Sequence, residues 1–325
     1  MGDGKMYPML LKPVIKNYIW GGERLIRDFG FDAAPPAAEA WLLSCRNDAD
    51  NEILNGEYAG RKLSEVAGYD KGSFPLLVKL IDAADDLSVQ VHPGAECAAL
   101  YEGDSAKTEM WYVIDCDEGA SIIFGFDENA LKKKRKNEDR PLCDELAAAV
   151  RDGCVTDILR KVPVRPGDVF LVSPGTVHAI GRGILIAEIQ QNSDTTYRVY
   201  DYDRVGADGK PRELHVDKAL NAVKLAEKAT TLSDVAVKHI RGWERILDAG
   251  IFSVRIITLD TSLELDSEDG FESLIILSGA ADLYWEGGTA HLSKGASVFI
   301  PSGSRYRLSG RAEAMICRPA RNGQN

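Results

Sequence analysis

The sequence lacks a cysteine framework. Its six cysteines (Cys45, Cys97, Cys116, Cys143, Cys154, Cys317) form no C-x-x-C pair and keep no regular spacing. That argues against a disulfide scaffold and against thiolate metal binding. No apolar run approaches the roughly 20 residues of a membrane span, so no membrane partner is expected. The N-terminal Met1-Gly2-Asp3-Gly4-Lys5 leads into no signal-peptide core. The expected compartment is therefore the cytoplasm. Positive charge is also short, with a net charge of −11, which argues against a nucleic-acid surface. One basic run, Lys132–Lys136, is followed by Glu138 and Asp139 and reads as a solvated helix or loop face.

Histidine is scarce, and two of the five histidines carry the argument. The chain reads Gln90-Val91-His92-Pro93, then Lys107-Thr108-Glu109, and much later Ser173-Pro174-Gly175-Thr176-Val177-His178. Alternate residues of a strand share a face, so Gln90 and His92 reach one centre while Val91 turns away. Glu109 opens the apolar strand Met110-Trp111-Tyr112-Val113-Ile114. Gln90, His92, Glu109 and His178 together form a mixed nitrogen and oxygen set suited to a first-row divalent metal, of which zinc is the commonest.

The length of 325 residues, 45% hydrophobic and 27% charged, suits one large or two medium globular domains. Short strands punctuated by Gly, Pro, Asn and Asp run through most of the chain. They include Phe74–Leu80, Met110–Ile114, Ser121–Gly125, Asp168–Val172, Ile184–Gln190, Ser253–Thr258, Ser273–Leu277 and Ser297–Ile300. This predicts a mainly β protein of sandwiches or barrels rather than a doubly wound sheet. Residues 128–161 are rich in Ala, Leu, Lys and Glu and read as an inserted helical segment covering a sheet face. A further helix is expected from Asp217 to Lys228, and a connection near Thr230–Asp234.

An internal repeat is legible. Residues 167–178 align without gaps on 295–306, so that His178 falls opposite Tyr306. Glu109 resembles Glu272, which stands before Leu274-Ile275-Ile276-Leu277, and no Gln-x-His precedes Glu272. The metal is thus expected in the first copy only. The predicted division is a metal-binding domain over 1–232 and a degenerate copy over 233–325.

The blocks Leu87–Pro93, Lys107–Trp111, Pro174–Ala179 and Ala187–Arg198, with Leu11-Lys12-Pro13 and Tyr18-Ile19-Trp20-Gly21-Gly22, stand in this order along the chain. In this they resemble the type I mannose-6-phosphate isomerases, most closely the short bacterial form, within the cupin superfamily. The resemblance implies two cupin-like jelly rolls and one Zn2+ per chain. It also implies interconversion of mannose 6-phosphate and fructose 6-phosphate through an enediol or enediolate. His92, Glu109 and His178 match the metal ligands, and Gln90 matches a fourth ligand found in part of the family. Arg198 matches a catalytic position; Ser88, Lys79 and Lys107 match positions lining the sugar-phosphate pocket.

Taken from the residues, Glu188 is the candidate base, since metal-bound His178 has no free nitrogen to accept a proton. If its segment is extended, Lys107 shares one face with Glu109 and would favour an anionic substrate. Two other readings compete with the isomerase. One is an iron dioxygenase of the cupin type, disfavoured by Gln90 and the nearby lysines. The other is a non-catalytic sugar-phosphate-binding cupin, disfavoured by the intact set of candidate residues. The sequence leaves the oligomeric state open.

Overall fold

The computed structural model describes residues 6–69, 73–134, 142–206, 209–223, 238–239, 244–267 and 270–320. Strands dominate, and all ladders are antiparallel. Two jelly-roll β units result.

In the first unit a six-stranded sheet faces a five-stranded one. The six-stranded sheet runs Val169–Val172, Glu109–Cys116, Ile184–Gln191, Leu76–Ala83, Glu39–Leu43, Val14–Lys16. The five-stranded sheet runs Leu159–Pro163, Ser121–Phe126, His178–Ala179, Val89–Val91, Tyr197–Tyr200. The central strands of the larger sheet are buried on both faces, which is why they read as near-continuous apolar runs. Their alternation still sorts them. Trp111, Val113, Ile81 and Ile186 point between the two sheets with Phe124, Phe170 and Val172. Met110, Tyr112, Val78, Leu80, Ala187 and Ile189 point outward, onto Ile275, Leu277, Phe299, Met315 and Cys317 of the second unit.

The helical insertion is real but shorter than the 128–161 expected. Helices span Glu128–Lys134 and Leu142–Arg151, a 3-10 turn follows at Val155–Ile158, and Leu159–Pro163 is already strand. Leu131, Leu146, Ala149, Val155 and Ile158 pack onto Val89, Val91, Val177 and Ala179. The insertion thus covers the outer face of the five-stranded sheet, the face opposite Gln90 and His92. Lys132 and Lys133 are exposed, as a solvated face requires. The later helix spans Val216–Ala222 and ends at Val223, whose backbone is extended, so it is not the unbroken Asp217–Lys228 helix expected; the rest of that stretch and the connection at 230–234 lie outside the described residues.

The second unit is built on one ten-stranded sheet. Two strands from the beginning of the chain complete it: Met9–Lys12 pairs with Ser297–Ile300 and with Glu52–Ile53. The strand expected at 273–277 runs on to Trp285 and pairs along its length with Arg305–Pro319. Cys45, Cys97, Cys116, Cys154 and Cys317 form no disulfide with one another, and no helix among the described residues is long and apolar enough to cross a membrane.

Candidate metal centre and sugar-phosphate cavity

The two sequence segments meet through one backbone contact and one strand pairing. Gly175 adopts φ +89°, a left-handed conformation glycine takes without strain. Its N–H donates to the carbonyl of His92 at 2.9 Å. Three residues on, His178 pairs directly with Gln90. Glu109 arrives from the facing sheet.

One donor atom from each of His92, Glu109 and His178 lies within 4.8 Å of the others. His92 Nε2 is 3.2 Å from Glu109 Oε2, and His178 Nε2 is 3.4 Å from Glu109 Oε1. All three residues are fully buried. Both rings are oriented from behind. His92 Nδ1–H donates to the Thr195 carbonyl at 3.0 Å and His178 Nδ1–H to the Thr176 carbonyl at 2.9 Å. A carbonyl only accepts, so both rings hold the Nδ1–H tautomer and turn the Nε2 lone pair inward. Gln90 adds its amide, with Nε2 3.3 Å from His178 Nε2; a half-turn of that amide presents its oxygen instead.

The electrostatics suit a cation. Burial, and then the neighbouring His92, push the His178 imidazole down to about 3. Burial, and then Lys107, also lower His92. Both rings are therefore neutral ligands at ordinary pH. Burial alone would raise the Glu109 carboxyl, but Lys107 and His92 outweigh it and hold the group well below the usual range. Among the described residues, His92 Nε2 and both Glu109 oxygens have no hydrogen-bond partner. Lys107 Nζ stands 3.0 Å from Glu109 Oε2 without hydrogen-bond alignment. Buried polar atoms are rarely left so, and a divalent metal among them removes the anomaly. The donor set fits zinc.

Beside this cluster opens a cavity of about 280 Å³, lined in part by Ser88, Gln90, Lys107, Glu188, Arg198 and Arg212. Lys79 lines it too, but it neither snorkels out nor stands free. Its ammonium is 3.1 Å from Glu188 Oε1 and 3.8 Å from Glu39 Oε2. Glu188 Oε2 accepts from Trp111 Nε1 at 3.0 Å. Burial, then the charge of Glu109, raise the Glu188 carboxyl. Arg198 departs from the salt bridge its sequence neighbours suggest. Asp201 is taken instead by Arg204 and Arg212, at 2.7 Å and 2.5 Å. Arg198 is left with neutral partners, Ser88 Oγ at 3.3 Å and the Glu213 carbonyl at 2.8 Å. Asp194 lines the same cavity without forming an ion pair with it. Burial and the nearby Arg212 both disfavour the charged guanidinium, which makes it a ready anion partner.

All nine sequence-predicted residues thus gather at one place. Several further residues of the site were not foreseen. Arg212 lies in an irregular stretch with no periodicity to mark it. Glu39 and Trp111 read as ordinary strand residues. Asp104 accepts from Ser193 Oγ at 2.8 Å and Thr195 Oγ1 at 2.9 Å, fixing the turn whose carbonyl orients His92. A larger cavity of about 760 Å³ lies where Tyr7 and Asn55 meet Trp285 and Arg305 of the second unit. None of the candidate site residues lines it.

Comparison with known proteins agrees with this geometry. Residues 9–121 match the family described as phosphomannose isomerase type I, catalytic domain, and residues 247–319 the mannose-6-phosphate isomerase cupin domain. The chain is 37% identical to the mannose-6-phosphate isomerase ManA of Bacillus subtilis, over 95% of this chain and 98% of that protein. It is 35% identical to the mannose-6-phosphate isomerase of Streptococcus mutans, over 91% and 92%. A crystal structure of the Bacillus subtilis mannose 6-phosphate isomerase superposes with a TM-score of 0.85 at 33% identity, covering 96% of this chain and 100% of that one. With the His–Glu–His cluster in a cupin barrel and near full-length relatives of one kind, the chain belongs to the type I phosphomannose isomerase family of metal-site isomerases.

Proposed function

We propose that this chain is a zinc-dependent aldose–ketose isomerase interconverting mannose 6-phosphate and fructose 6-phosphate through an enediol or enediolate. One observation carries the reading. Three buried donor atoms without partners converge beside a cavity bearing Lys79, Lys107, Arg198 and Arg212, in a chain whose net charge is −11. Local cations in an acidic protein select an anionic substrate. The cavity volume of about 280 Å³ lies near the lower end of small-molecule sites, roughly 300–1,000 Å³.

His92, Glu109 and His178 would hold the metal, with Gln90 as a fourth ligand. When bound, zinc supplies Lewis-acid polarisation of a carbonyl oxygen. The remaining work falls to the protein. Moving the carbonyl from C1 to C2 takes a proton from one carbon and returns one to its neighbour. Glu188 is the group to carry it, because its raised proton affinity brings it nearer neutrality, where a general base is most effective. Lys79 and Trp111 each engage one of its oxygens and fix the plane of the carboxylate. Lys107, 4% exposed, is a fixed positive charge for the developing oxyanion. Arg198, with Ser88 beside it, offers donors to the anionic end of the substrate.

Elemental analysis of the purified chain, with a coupled assay of fructose 6-phosphate formation from mannose 6-phosphate, tests the proposal. It expects about one zinc per chain, loss of turnover on chelation and recovery on zinc return. A metal-loaded protein that does not turn over the sugar phosphate refutes it.

A further inference from the structure

The internal repeat holds to the level of single register pairs. In the first unit Glu109 pairs with Val172, Met110 with Ile189, and Gln90 with His178. In the second, Glu272 pairs with Ile300, Ser273 with Cys317, and Leu265 with Tyr306. Even the turn contact recurs: Gly175 N–H donates to the His92 carbonyl, and Gly303 N–H donates to the Ser267 carbonyl at 3.0 Å. These pairs fix the correspondence of every ligand position. Gln90 becomes Leu265, His92 becomes Ser267, Glu109 stays a carboxylate as Glu272, and His178 becomes Tyr306. Gln190, the register partner of Glu109 on the neighbouring strand, becomes Arg318.

The retained carboxylate differs from its counterpart in one respect. Glu109 has two oxygens without a hydrogen bond. Glu272, equally buried, has both satisfied. Oε2 accepts from Tyr306 Oη at 2.5 Å, and Oε1 takes a close ion pair with Arg318. Arg318 Nη2 also donates to the Asp266 carbonyl at 2.8 Å. The guanidinium therefore bridges the carboxylate strand to the 265–267 segment. A metal in the first unit would bridge the equivalent pair, Glu109 and the 90–92 segment.

We infer that the second unit holds a converted counterpart of the metal centre, in which the Arg318 guanidinium stands in for the cation and the scaffold remains a latent site for a divalent first-row metal. The inference takes the metal role of the first cluster from the proposed function, and its test separates the two. The Ser267→His/Tyr306→His/Arg318→Gln variant of the full chain is loaded with zinc, dialysed and compared with the parent by elemental analysis and thermal unfolding. One additional zinc per chain, with a melting temperature raised by zinc above that of the metal-free variant, is the expected result. A folded variant with the parent's stoichiometry overturns the inference. A parent that binds no zinc refutes the proposed function instead. Should the triple variant not fold, Glu272→Gln, Arg318→Gln and the double variant decide. If the guanidinium serves as the cation, each single change lowers the melting temperature more than the double. Additive losses overturn the inference.

Discussion

Replacing Arg198 with alanine separates function from stability most cleanly. The wild-type guanidinium makes two contacts, a long one to Ser88 Oγ at 3.3 Å and one to the Glu213 carbonyl at 2.8 Å. Such contacts contribute about 0.5–1.5 kcal/mol each net. Against them stands the cost of keeping a half-buried charge with no carboxylate partner, which is of similar size. Folding stability should therefore change by no more than about 1 kcal/mol. Activity should not be spared. A charge-assisted contact to a substrate anion is worth about 1.5–3 kcal/mol, so kcat/KM should fall about 10- to 150-fold. The Arg198 side chain makes its hydrogen bonds to Ser88 and Glu213 and none to a metal-site residue, and its strand pairing with Gln90 is through the backbone, which alanine keeps, so zinc content should stay at the parental value. Arg198→Lys should recover part of the loss, since an ammonium keeps the charge but not the planar fork. The measurements are steady-state kinetics, elemental analysis and urea unfolding on the same preparations. A fully active Arg198→Ala variant refutes the anion role. So does an inactive one that has lost its zinc in proportion, because the defect would then lie at the metal cluster.

Other predictions address the remaining parts of the site. His178→Ala should lose both zinc and turnover, as measured by elemental analysis and the coupled assay. Glu188→Gln should keep its zinc while kcat falls about 10²- to 10⁴-fold, the usual contribution of a positioned acid–base group; an unchanged kcat would remove Glu188 from the chemistry. Asp104→Ala should weaken zinc about 10-fold in a competition titration by loosening the turn that carries the Thr195 carbonyl, as loss of an outer partner of a ligand does. The metal-free protein should lose stability as pH falls below the unfolded histidine value near 6.5. The sign follows from the neutral state of the buried rings: the unfolded chain takes up protons that the folded one refuses. With the His178 ring pushed down to about 3, that residue alone should cost about 2 kcal/mol by pH 5. Flat stability of the metal-free protein between pH 7 and 5 would contradict the buried neutral pair.

The sequence by itself determined the fold class and the membership of the His92–Glu109–His178 cluster. The two-residue period of Gln90 and His92, the glycine turn before His178 and the carboxylate opening an apolar strand are local features, and local geometry followed them. The same patterning marked the repeat, because strand and turn grammar survives substitution of the residues between. What only the tertiary structure decided was pairing. That Arg198 goes without a carboxylate while Asp201 holds Arg204 and Arg212 depends on where an irregular segment folds back. That Lys79 lies between Glu188 and Glu39 depends on strand order. The joining of Met9–Lys12 to the second unit's sheet likewise has no mark in the sequence around either strand. Hydrogen-bonding partners and charge balance are properties of neighbours in space, and neighbours distant along the chain leave no periodic signal in it.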